Sequence, residues 1–167
     1  FDNKSSNSFQ ETLERAKFVK HIIESCDGYR YFYVDGEPIR KEEDLKILYR
    51  MTWYSSSYDV NTEANNGRGP ADTVVSKGSA DKTLAEFKLA TNTQLKKNLQ
   101  NQSPIYEKAA SATHKTVKMI IYFSVKELVR VQAILKELKL EDDDAIVLID
   151  ARADNKVSAS KATSAQG

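Results

Sequence analysis

Residues 116–123 read Thr-Val-Lys-Met-Ile-Ile-Tyr-Phe. A run this apolar on both alternations is a strand buried on both faces. Ser124-Val125-Lys126-Glu127 follows at once, a capping-box pattern that opens a helix to about Lys139. Leu128, Val131, Leu135 and Leu138 mark its inner face. An acidic loop, Glu141 to Asp144, leads to a closing strand at Ala145 to Ile149. Strand, helix and strand in this order form a β-α-β unit, and its parallel strands need cover on both faces. The last third of the chain therefore predicts an α/β protein.

The segments upstream extend that sheet. Ser8 to Cys26 has apolar residues at helical spacing, with Ser8 and Glu11 as a capping box. Tyr29 to Val34 is aromatic and β-branched and reads as a strand. Asp35-Gly36 turns it toward a short return strand at Glu37 to Ile39. Lys41 to Trp53 reads as a second helix, with Glu42, Glu43 and Asp44 suited to the dipole of its first turn. Tyr58 to Glu63, Ala71 to Ser76 and Lys82 to Leu89 read as strands separated by Gly-rich turns. Thr91 or Asn92 caps a helix running to about Asn101, and Pro104 interrupts or restarts it. The expected architecture is a mixed central β-sheet flanked by helices. Residues 1–40 are expected as a helix and hairpin appended to a core at 41–153. Residues 154–167 are expected as a flexible tail.

Composition narrows the function. No run of eighteen apolar residues exists, so no membrane-spanning helix is expected. No charged-then-apolar leader opens the sequence. The single cysteine, Cys26, excludes an internal disulfide framework and a thiolate zinc cluster. The expected setting is a reducing one, most simply the cytoplasm. The net charge of +1 hides an asymmetry. Between Asn66 and Lys118 lie nine Lys or Arg residues against four Asp or Glu. Such a segment is either an electrostatic footprint for a polyanion or a solvated lysine face.

Chemistry concentrates in the same segment. Gly69-Pro70-Ala71-Asp72 places an acid at the start of a strand after a sharp turn. Glu86-Phe87-Lys88 lies in the next strand, where period two puts Glu86 and Lys88 on one face and Phe87 on the other. If the register allows, Asp72 and Glu86 project together. Two carboxylates make a hard-oxygen site for Mg²⁺ or Mn²⁺. Glu86 and Lys88 interrupt an otherwise apolar strand, and burying such a pair is costly without partners or metal. Alternatively, Asp72 is a turn residue and the other two are surface partners. Arg68 sits beside the site and could hold a phosphate bidentately. Lys96 and Lys97 follow on the next helix and suit a DNA backbone or simply water. The chain has no Walker loop, nucleophile elbow or zincin motif.

Pro70-Ala71-Asp72, thirteen residues, then Glu86-Phe87-Lys88 resembles the PD-(D/E)XK nuclease superfamily of restriction and repair enzymes. The resemblance implies a restriction-endonuclease-like core, in the order helix, three strands, helix, strand. It implies that Asp72 and Glu86 are ligands to Mg²⁺ or Mn²⁺, that the Phe87 carbonyl adds another, and that Lys88 positions the attacking water. A further acid often precedes the first strand in this superfamily. Glu63 is the first candidate for it and Glu43 the second. Gln102 and Tyr106, spaced Q-x-x-x-Y, resemble the RecB-like branch and would touch nucleic acid, although Pro104 between them opposes a continuous helix.

The sequence thus leads to one principal expectation, a metal-dependent nuclease hydrolysing phosphodiester bonds, with DNA as the substrate and RNA as an alternative. Cutting both strands needs two sites, so a homodimer or a larger parent protein is expected. The competing expectation is a non-catalytic nucleic-acid-binding or assembly module on a nuclease-like scaffold.

Overall fold

The computed structural model describes residues 7–39, 41–65, 70–102 and 111–156. Its centre is a five-stranded sheet in the order β3-β4-β5-β6-β7. The strands are β3 (Asp59–Asn65), β4 (Pro70–Ser76), β5 (Lys82–Leu89), β6 (Val117–Tyr122) and β7 (Ile146–Asp150). β3, β4 and β5 form an antiparallel meander, whereas β5, β6 and β7 run parallel. The switch follows from the connections. Lys77–Asp81 is a tight turn, closed by the Lys77 N–H on the Asp81 carbonyl and using Gly78 at φ 71°. The later connections are long enough to cross over the sheet. The mixed sheet flanked by helices is therefore as expected.

Two helices cover one face of the sheet: α1 (Ser8–Ser25) and α2 (Glu42–Met51). Leu13, Ala16, Val19 and Ile23 of α1, with Leu45 and Tyr49 of α2, pack on Val75, Phe87, Met119, Ile121 and Ile149. α1 thus packs in the same core as the sheet. The opposite face carries Ile120, Tyr122, Ile146 and Leu148 under helix α4 (Val125–Glu137) and the short turn α3 (Leu95–Lys97). β6 is buried at every position because it lies between both layers. β7 is an edge strand, and α1 caps its free backbone groups. Lys20 Nζ donates to the Leu148 carbonyl at 2.7 Å, and Glu24 accepts the Asp150 N–H at 2.8 Å. Side-chain capping of this kind blunts an edge against further pairing.

Three local expectations are corrected. Residues 29–34 are not one strand. Gly28–Phe32 is a 3-10 turn, and only Tyr33–Val34 (β1) pairs with Glu37–Pro38 (β2). The aromatics at 29, 32 and 33 follow turn spacing, not alternation. Phe32 and Tyr33 both pack on Phe123, with ring centroids 6.2 and 6.0 Å away. The helix expected from Thr91 or Asn92 shrinks to Leu95–Lys97 followed by a π turn, Asn98–Gln102. Arg130 of α4 donates to the carbonyls of Ala90 and Asn92, which holds that segment as a loop. The α1 cap is Asn7, whose side chain accepts the Gln10 N–H at 2.9 Å. At α4 the expected Ser124 cap forms, accepting the Glu127 N–H at 3.2 Å. The tail beyond residue 156 lies outside the described residues.

Ser8 is buried because it serves a tertiary contact instead of a cap. Its hydroxyl donates to Asp81 Oδ1 at 2.6 Å, its N–H reaches the same carboxylate, and its oxygen lies 2.7 Å from Thr83 Oγ1. His114 Nε2 is 3.0 Å from Asp81 Oδ1. Burial pulls the Asp81 carboxyl upward, but the Ser8 hydroxyl and N–H, with His114, outweigh it and hold its pKa below 3.8. A depressed carboxylate contributes stability that is present above the unfolded-state value and is lost as pH falls through the folded-state value. Thermal melts should therefore lose stability below about pH 4, and Asp81→Asn should flatten part of that loss. Parallel pH profiles for wild type and variant would reject this anchoring role.

Gly28 makes a second prediction. A Cβ there would lie 2.7 Å from the Ile22 carbonyl oxygen and 2.8 Å from Ile22 Cγ2. The turn after α1 closes too tightly for any side chain. Gly28→Ala is expected to cost about 1–3 kcal/mol in urea unfolding, the usual range for overpacking. A cost near zero would show that the turn relaxes freely.

Candidate active site

The antiparallel ladder between β4 and β5 runs from Ser76↔Lys82 to Thr73↔Ala85. One step further, Asp72 comes level with Glu86. There the backbone pairing gives way to a side chain, and Asp72 Oδ2 accepts the Phe87 N–H at 2.9 Å. Residues opposite each other on antiparallel strands share a face, as do residues two apart on one strand. Glu86 and Lys88 therefore share one face, and Asp72, one step past the last ladder pair, lies between Lys88 and Lys46 of helix α2. Lys88 Nζ lies 3.9 Å from Asp72 Oδ2, and both side chains are largely buried. Glu86 is only 3% exposed. Phe87 points to the opposite face, where it is fully buried in the core beneath α2.

One lysine that the sequence reading did not single out joins the cluster, and a second flanks it. Lys46 of α2 places Nζ 2.8 Å from Asp72 Oδ1. Burial works against the Lys46 ammonium. The hydrogen bond and charge of Asp72, with Glu43 and Glu42 on the same helix, prevail and hold its pKa above the ordinary lysine value. Glu42 also reaches the sheet, where its Oε1 accepts the Leu89 N–H at 3.2 Å. α2 thus leans its first two turns over the end of β5. The sequence places Lys46 beside the inward stripe of Leu45 and Tyr49, four residues after Glu42, but nothing in that spacing brings it to Asp72. Lys118 is the second lysine. It is level with Glu86 on the parallel neighbour β6 and only 7% exposed, with its Nζ toward the Thr116 carbonyl at 3.5 Å. A lysine inside an apolar strand was as conspicuous as Glu86 and Lys88.

The other expected site residues are placed unevenly. Glu63 falls on β3 between the pairs Thr62↔Thr73 and Ala64↔Ala71, at the step of Asp72. Its side chain, Arg68, the Gln102 side chain and Tyr106 lie outside the described residues. Lys96 and Lys97 sit on α3, and Lys96 Nζ pairs with Glu137 of α4 at 2.5 Å. Glu43 acts on Lys46 through its charge.

Among the described residues, no group of three or more His, Cys, Asp or Glu side chains is arranged to hold a metal ion. The donors in place are two carboxylates, Asp72 and Glu86, with the Phe87 carbonyl between Glu86 and Lys88 in the chain. Their chemistry fits a hard divalent cation, since all are oxygens. Asp72 already functions as a cation-binding carboxylate, with the Lys46 ammonium standing against Oδ1. Mg²⁺ keeps several waters and binds through one or two carboxylates, so this donor set suffices in kind.

Fold and site together define a mixed α/β protein with an acid–acid–lysine cluster at the splayed end of an antiparallel strand pair. Residues 8–125 match the family described as a domain of unknown function, DUF8371, and the chain belongs to that family. The matched stretch takes in α1, the site strands and β6. No curated protein and no solved structure matches the chain. Among the described residues, no helix is long and apolar enough to cross a membrane.

Proposed function

We propose that this protein is a metal-dependent nuclease with a restriction-endonuclease-like core, hydrolysing phosphodiester bonds in DNA. The observation that carries the reading is the approach of Lys88 Nζ to Asp72, at 3.9 Å, with Glu86 two residues before Lys88 on the same strand. Asp72 and Glu86 would hold Mg²⁺ or Mn²⁺, with the Phe87 carbonyl as a further ligand and Glu63 as a candidate for another. When bound there, the ion would supply activation of water and neutralisation of charge on the phosphoryl oxygens. Lys88 orients the attacking water and stabilises that charge through its ammonium. The partial burial of Lys88 and Asp72 strengthens both effects, because water screens them less.

The charge balance of the site supports a phosphate substrate. Lys46 and Lys88 both approach Asp72, so two ammonium groups stand where a phosphate would meet the site. Arg68, Lys96, Lys97, Gln102 and Tyr106 remain the proposed contacts to the nucleic-acid backbone. Double-strand cleavage would engage two copies of the chain, in a cytoplasmic setting. The alternative, a non-catalytic nucleic-acid-binding module, is favoured by one observation. The Lys46–Asp72 pair neutralises a proposed metal ligand, as a purely structural salt bridge would.

The deciding experiment is incubation of supercoiled plasmid with the purified protein in Mg²⁺ or Mn²⁺, against an EDTA control. Nicked or linear plasmid in the metal lanes alone is the expected result. A parallel single-stranded RNA substrate separates DNA from RNA preference. Intact DNA and RNA under both metals, with retarded migration on a gel, would replace the nuclease with the binding module.

A further inference from the structure

We propose that Lys46 is an exchangeable counter-ion of the metal site: its ammonium occupies Asp72 in the resting protein and gives way to a divalent cation. This inference rests on the metal site proposed above and concerns how that site is regulated. Both oxygens of Asp72 already have donors. Lys46 Nζ stands 2.8 Å from Oδ1, while the Phe87 N–H holds Oδ2 at 2.9 Å and Lys88 lies 3.9 Å away.

The contacts differ in how readily they yield. The Phe87 N–H is main chain in the sheet and cannot move without opening β5. Lys46 carries its charge on a flexible four-carbon stem from α2. A cation binding directly to Oδ1 must therefore displace Lys46. The released ammonium has somewhere to go, since Glu42 and Glu43 lie close enough on α2 to act on its charge. A substrate phosphate is the other available partner. Resting Asp72 is thus neutralised internally, and cation affinity is held down until Lys46 finds a second anion. By reciprocity, a phosphate that draws Lys46 away raises affinity for the cation.

Isothermal titration of the full chain with Mn²⁺ alone tests the exchange, using wild type, Lys46→Gln, Lys46→Arg and a control, Lys126→Gln, on the exposed first turn of α4. Lys46→Gln is expected to tighten Mn²⁺ binding about fivefold or more, the lower end of ordinary coupling between sites. Lys46→Arg is expected to weaken it, because a guanidinium grips a carboxylate bidentately. Lys126→Gln is expected to leave it unchanged. If Lys46→Gln fails to fold, the comparison of Lys46→Arg with wild type decides. Equal affinities in wild type and both Lys46 variants would overturn the exchange and leave the metal site standing. Equal tightening in Lys126→Gln would also overturn it, by exposing a general charge effect. No Mn²⁺ binding by any of the proteins would overturn the metal site and the exchange together.

Discussion

Asp72→Asn is expected to reduce metal-dependent cleavage by about a thousandfold or more while leaving the protein folded. The asparagine keeps a carbonyl oxygen for the Phe87 N–H, so the splayed end of the β4–β5 pair retains its lock. What disappears is the negative charge that a divalent cation needs. Lys88→Ala is expected to lower kcat by about 10²–10³, the loss typical of removing one preorganised charge-stabilising donor. The two variants should differ in a second readout. Asp72→Asn should lose most Mn²⁺ binding, whereas Lys88→Ala should retain it, because the role proposed for Lys88 is toward water and phosphate and not toward the metal. Single-turnover cleavage, circular-dichroism melts and Mn²⁺ titration of both variants check these points. Near-wild-type cleavage by well-folded variants would remove these residues from the chemistry.

Phe87→Ala is expected to produce the largest loss of stability, about 3–5 kcal/mol by the usual cost of emptying a buried aromatic site. Phe87 is fully buried, and its ring packs edge-on against Tyr49 at 5.3 Å. Tyr49 packs in turn against Trp53 at 5.8 Å, and the Arg15 guanidinium lies over Trp53 at 4.3 Å. Arg15 is held by Glu11, one turn earlier on α1, at 2.6 Å. This buried column ties β5 to α2 and α2 to α1. Burial also pushes the Tyr49 phenol well above its ordinary pKa, which keeps that ring neutral through the working pH range. A truncated Phe87 leaves a cavity under α2, the helix that carries Lys46. Urea unfolding gives the cost, and Mn²⁺ titration shows whether the site loosens with it. A loss below about 1 kcal/mol would mean that the column repacks around the gap.

Much of the scaffold was legible because it rests on periodicity. β6 reads as a strand buried on both faces, and the Ser124 cap is formed by the residues that spell it. The alternation of Glu86, Phe87 and Lys88 sends Phe87 into the core beneath α2 and its two neighbours to the other face, as strand geometry requires. Local signals failed where a distant partner competed. Ser8 carries the pattern of a cap, yet Asp81, far along the chain, takes its hydroxyl and N–H. The segment after Ala90 has helical composition, yet Arg130 claims its carbonyls. Tyr29 to Val34 has strand composition, yet Phe32 and Tyr33 turn together onto Phe123.

The site divides along the same line. Its strand-borne members, Asp72, Glu86 and Lys88, were recognisable in the linear chain, because residue type and spacing on neighbouring strands determine which side chains can meet. Lys46 was not, because its position depends on how α2 crosses the end of β5. That crossing is set by the packing of Leu45, Tyr49 and Phe87, a three-dimensional fit with no counterpart in residue order. The amino-acid order alone therefore settled which groups line the strands. Only the packed tertiary structure decided which cation from a distant helix comes to rest on Asp72, since that contact lies between elements whose relative placement no local rule dictates.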